Sequence, residues 1–323
     1  MKKDIIKIII CPLCKNDRLN ITSFKRNKYF IIDGLIKCDS CKTIFPIIDS
    51  IPHLVDPLID DYRITSRFYK KYKIKSRYNI NKESWDLVQA EFFNNYSSKY
   101  DEEMLSDNFW NIIDQDLIQI LIKKTKSKFA LDVGCGTGRS TEHLVKNNIN
   151  SIGVDISHKM LVQAFKKNKG TSFLMADANN LPFKKATFDL VLFMGTLHHV
   201  SDPLKSLKES HRVIKINGEV KLIENNKSIF RPLFDFLMKF NKLWNDGPER
   251  EHATMNIRYM RKIIKLSRFK NNKVYTKVFI LPQIINLLSK NTALNSYLIT
   301  EKLFTKLPLI KNQGGLLIGE CKK

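Results

Sequence analysis

Four cysteines and three glycines are the residues of this chain whose types and spacing could do chemistry. Cys11-Pro-Leu-Cys14 and Cys38-Asp-Ser-Cys41 are two C-x2-C pairs with 23 residues between them. Two such knuckles set four thiolates at the corners of a tetrahedron, the arrangement that structural zinc takes. A pair of disulfides is the alternative for the same spacing, and it requires an oxidising compartment. Further along, the apolar run Phe129-Ala-Leu-Asp-Val133 breaks into Gly134, Gly136 and Gly138. A short buried strand, a turn made by residues without a Cβ, and a helix over Thr141 to Lys146 leave helix N-terminal N–H groups free to receive a ligand.

Glycine-rich turns of this kind also announce dinucleotide binding. Here the spacing Asp132-x-Gly134-x-Gly136-x-Gly138 resembles motif I of the class I S-adenosylmethionine-dependent methyltransferases. Further matches follow in order. Ser151 to Ser157 reads as a second strand carrying Asp155, 23 residues after Asp132, about where an acid binds ribose hydroxyls at a second strand end. Met175 to Phe183 is similar to the family's adenine-contacting segment, with Asp177 placed to accept from the exocyclic amine. Phe188 to Pro203 resembles the fourth strand and its loop, and Ser206 to Val213 a helix. Ile216-Asn-Gly-Glu219 is a degraded form of the family's lysine-proline-glycine-glycine turn, and Val220 to Glu224 the fifth strand.

The resemblance implies an α/β fold: a doubly wound, mostly parallel, seven-stranded Rossmann-like sheet. S-adenosyl-L-methionine is then expected across the carboxyl ends of the first two strands. The cofactor contacts it implies are Asp132, Gly134, Cys135, Gly136, Gly138, Asp155, Ile156, Asp177, Ala178 and Met194. Tyr100 joins them because Phe92 to Asp101 is similar to the lead-in of ubiquinone- and menaquinone-biosynthesis methyltransferases. Asp132 is expected to orient the glycine loop or the cofactor's amino group, and Arg139 is a candidate partner for its carboxylate. His198 and His199 follow the fourth strand, and either could act as a general base where the nucleophile carries a proton at neutral pH.

The elements that must position these residues fall into three segments. Residues 1-56 are a zinc ribbon with a hairpin of Ile21 to Phe24 and Tyr29 to Ile32. A module this small needs its metal to fold. Its continuation, Lys42 to Val55, resembles the small zinc-ribbon protein that activates several tRNA and protein methyltransferases, and His53 is expected beside the ribbon's core rather than on the metal. Residues 57-110 are a connector with cofactor-covering helices. Within it Arg63, Arg67, Lys70, Lys71, Lys73, Lys75 and Arg77 alternate with Tyr62, Phe68, Tyr69, Tyr72 and Tyr78. Such a mixture either grips a phosphate backbone and stacks bases, or packs its rings on the methyltransferase domain. Residues 111-323 form that domain, fed by a helix from Trp110 to Lys123. It also holds a helix at Arg258 to Leu266, strands at Lys273 to Ile280 and Leu316 to Cys321, and apolar insertions at 228-255 and 282-307; the first is either a substrate cap or packed core, and the two together could form a membrane-surface lid.

The net charge of +23 favours anionic partners such as RNA or a membrane surface. Lysine, isoleucine and asparagine abound in every segment, however, so part of that charge is compositional bias. The N-terminal apolar residues run into the first knuckle without a cleavage site, and no stretch reaches the roughly 18 uninterrupted apolar residues of a spanning helix. The expectation is a cytoplasmic protein, with peripheral membrane contact as an option. Three functions remain open. One is a methyltransferase acting on a small or lipid-linked metabolite, such as a quinone-type or glycolipid acceptor. Another is an RNA methyltransferase, and the third a non-catalytic partner subunit that binds the cofactor.

Overall fold

The computed structural model describes residues 1–60, 62–74, 84–105, 108–123, 125–232, 236 and 255–323. After a 3-10 turn at Lys3–Lys7, the ribbon is a meander of β1 (Leu19–Arg26), β2 (Ile31–Cys38), β3 (Ile44–Ile48) and β4 (Ile51–Leu54), each antiparallel to the next. The expected hairpin is present and longer than expected, because β2 continues through Gly34 into the second knuckle. Three helices follow: α1 (Tyr62–Lys71), α2 (Trp85–Leu105) and α3 (Asn108–Lys123).

The larger unit alternates strand and helix: β5 (Phe129–Val133), α4 (Arg139–Lys146), β6 (Asn150–Asp155), α5 (His158–Lys167), β7 (Ser172–Ala176), β8 (Phe188–Met194), α6 (Pro203–Val213) and β9 (Ile214–Asn225). It closes with α7 (Ile257–Leu266), β10 (Lys270–Lys277), α8 (Pro282–Leu287), α9 (Lys290–Phe304) and β11 (Leu316–Lys322). Helix starts are set by side-chain caps. Ser157 accepts from the Met160 N–H, Asp202 from the Lys205 N–H ahead of Pro203, and Asn256 from the Tyr259 N–H.

Strand order is β7-β6-β5-β8-β9-β11-β10, parallel except for β11, which runs against both neighbours. The chain winds outward from β5 to β7, then returns to β8 on the other side of β5. Loops leaving β5 and β8 therefore diverge and open a crevice at that switch point.

The seven-stranded sheet does not end at β7. Its free edge is taken by the ribbon's β4, which pairs in parallel with His53 opposite Met175 and Leu54 opposite Ala176, giving one sheet of 11 strands. An uncovered β7 would leave a row of unpaired backbone groups. The seam is reinforced by Ile10 N–H to Pro182 O at 3.0 Å and Lys184 N–H to Ile8 O at 2.8 Å. Below it the apolar core is continuous: Ile9, Ile36, Phe45 and Ile47 of the ribbon share a cluster with Leu174, Phe183 and Phe188.

Three expectations need correction or limits. Of the connector's interleaved aromatic residues, Phe68 and Tyr72 pack on the ribbon. Tyr72 stacks on Phe24 with ring centroids 4.5 Å apart, Phe68 is buried beside them, and Lys71 and Tyr72 both bind Asp33 of β2. The expected turn at Ile216 to Glu219 lies inside β9. It is a bulge there, with Asn217 at φ 64° and pairing to β8 slipping between Phe188 and Leu190. The proposed cap over 228-255 lies mostly outside the described residues, as do Lys75, Arg77 and Tyr78.

Candidate active site and metal centre

The two knuckles converge. Lys15 and Lys42, each following the second cysteine of its pair, adopt left-handed backbone (φ 59° and 62°) and donate their N–H groups to Cys11 O and Cys38 O. This folds both C-x2-C loops the same way and turns their sulfurs inward. The Sγ atoms of Cys11, Cys14, Cys38 and Cys41 all lie within 4.8 Å of one another, with Cys11 to Cys41 at 3.6 Å and Cys14 to Cys38 at 3.5 Å. Zinc–sulfur bonds of about 2.3 Å put tetrahedral sulfurs roughly 3.8 Å apart, whereas a disulfide needs about 2.05 Å. The donor set therefore fits a structural zinc, and His53 stands apart from it.

The crevice at the switch point holds the second site. Its walls bring together Tyr100 from α2, Gly134 and Gly136 after β5, Asp155 at the end of β6 with Ile156 after it, and Asp177 and Ala178 after β7. Met194 at the end of β8 and His198 and His199 in the loop after it complete the site. At Gly136 a Cβ would meet nothing within 4 Å, so this backbone faces open space. Its N–H donates to Asp155 Oδ2 at 2.9 Å, and Ser157 N–H donates to Asp155 Oδ1 at 2.9 Å. Each carboxylate oxygen thus keeps lone-pair capacity for a diol.

Asp177 is fixed by the Asn179 N–H at 2.7 Å. Burial, with Asp86 adding repulsion, pushes its carboxyl up to about 6, and burial likewise raises Asp155. A cleft that desolvates acids in this way favours a ligand bringing hydrogen-bond donors and positive charge. S-adenosylmethionine brings ribose hydroxyls, an amine and a sulfonium, so these residues fit it.

Asp132, Cys135 and Gly138 do not line the cleft. Asp132 is fully buried and accepts from Ser140 Oγ at 2.6 Å and Thr141 Oγ1 at 2.5 Å, anchoring the first turn of α4 to β5. Of its two expected roles, the geometry matches orienting the loop. Cys135 turns its sulfur into the core beside Leu161 and Phe173, and its N–H is spent on Val154 O. Gly138 (φ 83°) is needed for close packing, since a Cβ there would sit 2.6 Å from the Asn168 amide nitrogen. Arg139 lines the cleft with its guanidinium 5.5 Å over the Trp110 ring.

The two histidines part ways. His198 puts Nδ1 2.7 Å from Glu224, whose carboxylate also accepts the Thr196, Leu197 and His198 backbone N–H groups. His199 is half-buried against Phe93 and His198, and desolvation holds its pKa well below 6.5. Its Nδ1 has no hydrogen-bond partner among the described residues.

Sequence reasoning missed Glu224 as a site residue, along with Trp110, Thr196 and the α2 residues Asp86, Gln89 and Phe93, all of which line the cleft. It also missed Asp101, which accepts from Thr137 at 2.6 Å and Lys167 at 2.7 Å and ties α2 to the glycine loop. Asp101 sits next to Tyr100 in the quoted lead-in, the one signal that could have found it.

The family description "Methyltransferase domain" matches residues 131–222, and "Trm112p-like protein" matches residues 2–50. The demethylmenaquinone methyltransferase of Lactobacillus johnsonii is 38% identical over 117 residues, covering 32% of this chain and 48% of that protein. That of Staphylococcus haemolyticus is 33% identical over 173 residues, covering 49% and 72%. Among solved structures, an S-adenosylmethionine-dependent methyltransferase of Thermotoga maritima, described as a possible histamine N-methyltransferase, shares the fold. Its TM-score is 0.52 at 20% identity, over 72% of this chain and 99% of that one. The chain spans half or less of the length of the first curated relatives it matches. The glycine loop with its cleft acids and the four-cysteine cluster thus coincide with the matched segments. The chain belongs to the S-adenosylmethionine-dependent methyltransferases, with a Trm112p-like zinc ribbon joined to the edge of its sheet.

Proposed function

We propose that this protein transfers a methyl group from S-adenosylmethionine to a small or lipid-linked metabolite of quinone or glycolipid type. The observation that carries the acceptor class is a second cavity of about 460 Å³ beyond the cofactor cleft. It is lined by Phe109, Val278, Ile280, Phe304 and Ile310, and it shares Trp110, Asn225 and Leu316 with the cleft. That volume falls in the range of about 300–1,000 Å³ that takes organic ligands. Its apolar lining favours a ring or chain over a charged polymer. The likeness to demethylmenaquinone methyltransferases points the same way.

When bound, the cofactor supplies a sulfonium-activated methyl that is open to in-line displacement. The chain's own residues do the rest. Asp155 and Gly136 hold the ribose end, Asp177 accepts from the adenine amine, and Tyr100, Ile156, Ala178 and Met194 exclude water. His199, neutral and with no partner at Nδ1 among the described residues, takes a proton from an acceptor that carries one. His198 holds the loop that presents it. Fixing two reactants in one dry cleft contributes much of the acceleration for such a displacement.

A second reading is methylation of RNA, favoured by the Trm112p-like segment and the net charge of +23. The connector argues against it, because Phe68 and Tyr72 are packed on the ribbon and offer no free faces to bases. The test is transfer of labelled methyl to fractionated cell extract. Label in lipid or metabolite fractions supports the first reading, label in RNA the second, and no label in any fraction leaves a cofactor-binding partner subunit.

A further inference from the structure

A chain of buried hydrogen bonds crosses the seam between ribbon and methyltransferase sheet. Asp60 Oδ1 lies 2.9 Å from His53 Nδ1, and His53 Nε2 lies 2.9 Å from Nδ1 of His158. The side chains are 8%, 0% and 6% exposed. His53 sits on β4 and His158 is the first residue of α5, so the bond joins two units that the sequence places 105 residues apart.

Only one neutral arrangement satisfies both contacts. The Asp60 carboxylate requires the proton on His53 Nδ1, which leaves His53 Nε2 an acceptor and makes His158 Nδ1 the donor. Burial holds His158 below its ordinary 6.5, which keeps it neutral near pH 7. The exposed Asp49 carboxylate lies 3.7 Å from the other ring nitrogen of His158, and the rest of the seam around the pair is apolar, with Ile51 and Val55 of the ribbon against Leu161 and Ala164 of α5. Packing alone is better served there by aliphatic side chains, so the pair contributes direction as well as contact.

His158 is where that direction matters. The residue before it, Ser157, donates its N–H to Asp155 Oδ1, and Asp155 Oδ2 accepts from Gly136. Asn94 of α2 accepts from Ser157 Oγ at 2.8 Å and from Lys159 N–H at 3.0 Å. Residues 157–159 are therefore gripped by Asn94 at both ends and by His53 in the middle. The path from Asp60 to the glycine loop runs through hydrogen bonds and a single peptide bond. We propose that His53 and His158 are positioning residues, through which the ribbon sets the aim of the Asp155 carboxylate and hence the affinity for the cofactor. This rests on the reading that Asp155 holds the ribose.

The test is calorimetric binding of S-adenosylhomocysteine to the full zinc-loaded chain at pH 7.5, with thermal melts alongside. His53→Ala and His158→Ala are expected to weaken binding about tenfold, the effect of losing one buried hydrogen bond. His158→Asn keeps an N–H where Nδ1 was and should restore most of the affinity. Val55→Ala loosens the same seam without touching the chain, so it should lower the melting temperature and leave affinity alone. Wild-type affinity in both alanine variants overturns the proposal. So does failure of His158→Asn to recover what His158→Ala loses, or equal weakening by Val55→Ala. Should an alanine variant not fold, Asp60→Leu, which removes the acceptor that orients His53, takes its place with the same expected weakening. Absence of binding by the wild type overturns the cofactor reading itself.

Discussion

Glu224, the penultimate residue of β9, holds the imidazole of His198 at 2.7 Å through Nδ1. The same carboxylate receives three consecutive backbone N–H groups, of Thr196, Leu197 and His198, so it fixes the whole loop after β8. Glu224→Gln turns part of this acceptor into an amide donor facing donors. It is expected to lower stability by about 1–3 kcal/mol in urea titration and to weaken the acceptor step along with it. Stability equal to wild type would mean that the loop is held elsewhere.

His199 makes a separable prediction. Its Nδ1, without a partner among the described residues, and its depressed pKa suit a base that is already neutral at physiological pH. His199→Ala should reduce kcat by about 10²–10⁴-fold while binding of S-adenosylhomocysteine stays at the wild-type level. The wild-type kcat should be flat through neutral pH and fall only in acid, where His199 takes up its proton. If the variant keeps wild-type kcat, the acceptor arrives deprotonated and His199 serves packing alone.

Cofactor binding should itself depend on pH. Burial raises Asp177 to about 6, and its ionised form is the acceptor for the adenine amine. Affinity should therefore rise as pH climbs through about 6 and level off above it. Stability moves the opposite way for this group. A carboxyl whose folded pKa is raised binds its proton more tightly in the folded state, so its contribution is largest in acid and declines as pH rises through the folded value. Asp177→Asn should flatten the affinity profile between pH 5 and about 7. A profile unchanged in that variant would assign the titration to Asp155.

The methyltransferase half of this fold was legible because its signals are local. The glycines at 134, 136 and 138, the acid ending β6 and the strand periods lie within short windows, and the structure follows them closely. The site was only partly legible. Asp132 and Cys135 sit inside the motif, yet their side chains face the core, and a motif does not record which way a residue points. The ribbon's continuation into the sheet was not legible, since nothing within 51–55 says that its partner is 172–176. The His53–His158 bond escaped for the same reason, because its halves are 105 residues apart and nothing near either one names the other.

Zinc removal tests that long-range join. Were the ribbon a tethered accessory, a chelator would unfold it and leave the methyltransferase transition in place. Here β4 supplies the backbone partners of β7, and Ile36, Phe45 and Ile47 share a core with Leu174 and Phe183. Losing the ribbon therefore uncovers an edge and opens that core next to the strand end that carries Asp177. Structural zinc contributes on the order of 10 kcal/mol to small folded modules. Chelation, or Cys38→Ser, is expected to lower the melting temperature of the whole chain and to weaken S-adenosylhomocysteine binding. Scanning calorimetry with metal analysis reads this directly: one transition that moves down as a single equivalent of zinc leaves is the expected result. A methyltransferase transition unmoved after full zinc release would show that the sheet is stable without its ribbon.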